Sequence, residues 1–194
     1  MSSGSDRDFV VPVERVDDDD ERSAADPLGT FSTPGEDNGP RFRLNFDPDE
    51  RRFLVNLLAE LKELLTNDET EATTPLLHRL FPPAFHDDPE KEAEYQRLMR
   101  EELVASRVAA IETVTTLLSP NGDAGKAASI TLSEADLMAF MQSLNAIRLV
   151  LGTMLDITDD DSSDQAEDED SYEFGLYEHL GWILEFTVRA LSGG

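Results

Sequence analysis

His78, His86 and His179 are the three histidines and the side chains best suited to proton transfer or metal binding near neutral pH. None stands four residues from another potential histidine ligand, so no helical face offers a pair of the HExxH kind. His86-Asp87-Asp88 reads as a loop residue followed by a helix cap. The carboxylates around Asp160 could gather hydrated divalent cations, but without the glycine hinge and closing glutamate of a calcium loop they read as a solvated acidic loop. The chain has no cysteine, which removes disulfides, thiolate metal sites, cysteine nucleophiles and thiol switches. Asn121-Gly122-Asp123-Ala124-Gly125-Lys126 falls short of phosphate-loop spacing and reads as a turn. Ser106 and Ser143 lie in helical stretches without the glycine spacing of a nucleophile elbow. The residues support no catalytic centre, cofactor site or metal site.

Four other side chains are candidates for binding a partner. Arg107, Arg148 and Arg189 are each set among apolar helix positions. A guanidinium so placed lies at the core edge or pairs with a carboxylate, for which Glu112, Glu178 and Glu185 are available. The interhelical ion pair is the structural expectation. Trp182, the single tryptophan, follows Gly181 and lies one turn from Tyr177. A glycine inside a helix costs about 1 kcal/mol against alanine, so Gly181 is expected to permit close approach of another helix. Trp182 fits either a core position or a binding anchor. Tyr177, Trp182, Arg148 and Arg107 are thus the candidate partner-binding residues.

The elements that must position them follow from periodicity. Arg41 to Phe46 alternates polar and apolar as a short half-buried strand does. Asp47-Pro48-Asp49-Glu50 announces a helix, with Asp47 as N-cap, Pro48 at the first position and Glu50 closing a capping-box-like pair. Phe53, Leu54, Leu57, Leu58, Leu61, Leu64 and Leu65 carry its apolar face. Pro75 to Phe81 reads as a short helix ended by Pro82-Pro83. A second long helix starts at Asp88-Pro89 and stops at Ser119-Pro120. Ala128 to Leu132 is a second short strand, and Ser133 with Asp136 caps a third long helix. A fourth carries Leu176, Tyr177, Leu180, Ile183, Leu184, Val188 and Leu191. The expected fold is mainly α: a bundle of about four long helices with a two-stranded β-ribbon, Phe42–Phe46 against Ser129–Leu132.

Charge divides the chain into domains. The 194 residues hold 42 acids and 16 bases, a net charge of -26. Residues 1–40 hold 11 acids and 3 bases, and residues 156–173 hold 10 acids and no base, so these stretches carry 18 of the 26 charges. Residues 1–40 lack sustained apolar periodicity and are expected to form a disordered acidic arm, in which Phe9, Val10, Val11 and Val13 make one short apolar patch. Residues 41–194 are expected to form a single helical domain interrupted by an acidic loop over 156–173. The overall charge disfavours phosphate binding, and direct DNA reading is doubtful. No signal peptide or stretch near the ~20 apolar residues of a membrane span is evident, so a cytoplasmic location is expected.

Leu144-Asn145-Ala146-Ile147-Arg148-Leu149-Val150-Leu151-Gly152-Thr153, followed by the acidic loop, Tyr177-Glu178-His179-Leu180-Gly181-Trp182 and Val188-Arg189-Ala190-Leu191, resembles the actinobacterial AosR-type family of oxidative-stress transcriptional regulators. Phe85-His86-Asp87-Asp88, Glu94-Tyr95, Leu103 and the Arg43-to-Glu50 stretch are similar to that family too. The resemblance covers roughly residues 41 to 191. It implies a non-enzymatic regulator that works through protein contact with a sigma factor of the extracytoplasmic-function type or with RNA polymerase. It implies, as an alternative, an accessory to Clp proteolysis, and it leaves homo-oligomerisation open. Without cysteine, disulfide-based sensing cannot operate within this chain.

Overall fold

Asp47 starts the first helix by accepting hydrogen bonds at Oδ1 from the amides of Asp49 (2.8 Å) and Glu50 (2.9 Å). These are donors that a helix start leaves without intrahelical partners. The helix, α1, runs Pro48–Thr66. In this computed structural model, residues 11–16, 39–119, 129–157 and 171–193 are described. Most of the expected acidic arm, most of the 156–173 loop and the turn at Asn121–Lys126 lie outside them. The other helices are α2 (Thr74–Leu80), α3 (Pro89–Leu118), α4 (Glu134–Met154) and α5 (Tyr172–Leu191). The strands are β1 (Val13–Val16), β2 (Arg41–Leu44) and β3 (Ile130–Ser133).

The architecture is mostly helical with one small antiparallel sheet. The described residues hold five helices, four long and one short, where a bundle of about four long helices was expected, and three strands instead of two. The added strand, β1, lies inside the expected arm. It pairs with β2 so that Val13 faces Leu44 and Val16 faces Arg41, while Leu132 of β3 faces Phe42 on the other side. Side-chain bonds tie β1 down: Arg43 meets Glu14 at 3.1 Å, and Asn45 Nδ2 donates to the Val11 carbonyl at 2.9 Å. Val13 goes into the core, 2% exposed, which offsets the ordering of so short a segment.

Helix α4 is the hub, touching α1, α2, α3, α5, β2 and β3. Its start is a complete capping box between Ser133 and Asp136. Leu137, Phe140, Leu144 and Ile147 form its buried stripe, and Phe140 meets Phe46 at 6.0 Å between ring centroids. By length and composition α4 could cross a membrane, contrary to the expectation from sequence that no stretch comes close. Its contacts are those of a core helix, since helices and strands surround it. Opposite charges join α1 to α3 through Lys62 and Glu112 at 2.8 Å.

Asp47→Ala leaves the amides of Asp49 and Glu50 without their side-chain acceptor. It is expected to cost about 1 kcal/mol, read as a lower urea midpoint with an unchanged slope.

Candidate functional site: an arginine–tyrosine seam and an apolar groove

Arg148 and Tyr177 come together where α4 crosses α5. The guanidinium lies over the phenol ring, 4.0 Å from its centroid. A cation over an aromatic face is attracted by the ring quadrupole and keeps part of its charge away from water without a carboxylate. Two glycines make the room: a β-carbon at Gly181 would stand 3.2 Å from Arg148 Nε, and one at Gly152 would stand 3.2 Å from the Tyr177 ring. Gly181 therefore admits the arginine side chain, more specifically than the helix approach expected of it. Arg148 Nε is buried and has no hydrogen-bond partner among the described residues.

The expected interhelical ion pairs of the three arginines are replaced by other contacts. Glu112 is held by Lys62, and Glu185 pairs within α5 with Arg189, four residues on. Arg107 donates from Nη2 to the Leu80 carbonyl at 3.0 Å and lies 5.2 Å from the Phe81 ring centroid. Burial lowers its pKa from the usual arginine value. Arg107 is thus tied to the end of α2 and is not brought into the seam. Arg100 shares the Phe81 ring at 5.9 Å and pairs with Glu69 at 2.8 Å.

Trp182 is half-buried, one turn beyond Tyr177. Its ring stacks on His179 with centroids 5.8 Å apart and meets Phe186 edge-on at 5.2 Å. His179 Nε2 reaches Glu50 Oε1 at 3.1 Å. The carboxylate expected to close the α1 cap thus links α1 to α5. Asp88 does cap α3, as the His86-Asp87-Asp88 reading implies, accepting from the Lys91 amide at 3.1 Å. Glu92 Oε2 accepts from the amides of Ala84 (2.9 Å) and Phe85 (2.8 Å) and fastens the preceding loop. A hydrogen bond from Gln96, then those from the backbone, lower the Glu92 pKa. That fastening is present above the ordinary carboxylate range and is lost as the pH falls through the lowered folded value.

Among the described residues, no three His, Asp or Glu side chains gather to hold a metal ion. An apolar groove of about 550 Å³ lies between α1, α4 and α5, lined in part by Leu57, Leu64, Val150, Met154 and Tyr172. Sequence reasoning placed Leu57 and Leu64 on the apolar face of the first long helix and gave Val150 and Tyr172 no role. The available signal was the run Leu149-Val150-Leu151, which is apolar over more of the helix circumference than one core face needs.

Residues 29–191 match the sequence profile of the family described as Domain of unknown function (DUF2017). The chain belongs to this family. It is also 28% identical over 190 residues to proteins named Oxidative stress regulator AosR in Mycobacterium bovis and Mycobacterium tuberculosis, an overlap of 80% of this chain and 84% of theirs. No solved structure matches. The family's span takes in α1 to α5, both faces of the seam and the groove, whereas β1 lies before it.

Proposed function

We propose that this chain is a cytoplasmic, non-enzymatic regulator of transcription in the oxidative-stress response. It acts by protein contact with a sigma factor of the extracytoplasmic-function type or with RNA polymerase. The observation that carries the reading is the similarity to the AosR regulators over 80% of the chain. The regulatory role rests on that similarity, and the choice of partner rests on the family resemblance of the α4 and α5 motifs. The net charge of -26 favours protein contact over direct DNA contact, because a groove reader needs Lys and Arg to displace counterions. A signal reaches this chain by some route other than its own thiols, since it has none.

The test is capture. The tagged full chain is mixed in turn with purified extracytoplasmic-function sigma factors and with polymerase core at near-physiological salt. Retention of either partner is the expected result. Failure to retain any of them, with the chain folded by circular dichroism, overturns the proposed mechanism.

A further inference from the structure

The groove between α1, α4 and α5 combines an aliphatic lining with a one-signed rim. Leu57, Leu64 and Val150 line it, and its edge residues Met154 and Tyr172 are 63% and 69% exposed. Among the described residues, the charged members of its lining are Glu60 and Glu173, with no Lys or Arg. Met154 and Tyr172 also flank, in sequence, a stretch rich in carboxylates: residues 156–170 hold nine acids and no base.

Resting on the reading that this chain works through protein contact, we infer that the groove receives a basic amphipathic helix from a partner protein. The partner's apolar stripe lies on Leu57, Leu64, Val150 and Met154, and its Lys or Arg flanks face Glu60 and Glu173. Helix-in-groove recognition uses apolar anchors at i, i+3, i+4 and i+7. Phe53, Leu57 and Leu64 follow one side of α1 for about 16 Å, roughly three helical turns. Other occupants fit less well. Residues 158–170 contain Ala166 as their one apolar side chain and bring nothing large enough to fill an aliphatic groove. A second copy in the same groove would set two acidic rims against each other, which costs free energy.

The experiment uses the full chain and a fluorescein-labelled synthetic helix with leucine at i, i+3, i+4 and i+7 and lysine on both flanks of that stripe. Anisotropy is read at near-physiological salt. The wild-type chain is expected to bind, and the same peptide with glutamate in place of every lysine is expected not to bind. Met154→Asp is expected to weaken binding about fivefold or more, although it adds negative charge. Tyr172→Ser, a second exposed position, is expected to weaken it in the same direction. Both variants should keep the wild-type circular dichroism and Tm, because neither side chain is buried.

Equal or tighter binding by both variants means general charge attraction, and it overturns the proposal. So does absence of binding by wild type, or sedimentation of wild type as a dimer that Met154→Asp dissociates. The peptide carries no sigma-factor or polymerase sequence, so the two readings fail separately. Capture of those partners without peptide binding sinks the groove alone. Peptide binding without capture sinks the proposed partner class and leaves the groove standing.

Discussion

Phe140→Ala is expected to remove about 3–5 kcal/mol of stability, because deletion of a buried aromatic loses both its transfer free energy and the contacts around the resulting cavity. Phe140 is 1% exposed and meets Phe46, which joins the end of β2 to the hub helix α4. Elements on both sides would lose contacts, and α4 cannot collapse onto the space without leaving its other neighbours. For a chain of this size the loss corresponds to a fall in Tm on the order of 10 °C. Phe85→Ala is the comparison: Phe85 is 42% exposed and packs edge-on against Tyr95 on the surface. Its replacement is expected to cost about 1 kcal/mol or less. Similar losses at both sites, measured by urea or thermal unfolding, would contradict the placement of the core.

The second large effect is at the sheet edge. Val13→Asp puts a carboxylate where the native side chain is buried opposite Leu44, and undocking of β1 is easier than burying that charge. The expected outcome is loss of about 3 kcal/mol or more of docking, confined to one part of the molecule. By hydrogen exchange, β2 amides that face β1 should lose protection while those that face β3, and those of α4, keep it. The uncovered edge of β2 then offers unpaired backbone groups to other chains, so self-association should rise with concentration. Uniform loss of protection across α4 as well would show that β1 is integral to the whole domain instead of an edge added to it.

The long helices were legible because their leucines repeat along one face and their caps are local. Asp47, Asp88 and Ser133 each bond to amides two or three residues ahead, a distance over which sequence alone constrains geometry. Strand β1 was not legible, since four residues next to an acidic run carry little periodicity and the reason for their order is a partner almost thirty residues away. The arginines were half legible. Their aliphatic neighbours placed Arg148 at a core edge, but the choice of Tyr177 over a carboxylate depends on which glutamates other bases already hold, and Lys62 holds Glu112. The groove needed the structure outright, because a stripe of leucines does not say which of them a neighbouring helix will cover.

The contact between β1 and α5 has a consequence for how the molecule is made. The strand is among the first described residues to be synthesised, and the helix it packs against is the last described element. On the ribosome β1 must wait, since β2 can pair with it long before α5 has emerged to cover that side. The sheet is therefore sealed only after α5 has been made, and a product cut short before Tyr172 would keep that side of β1 bare. Such a product would be open to proteases along the strand, so clearance of truncated chains follows from the order of the fold itself.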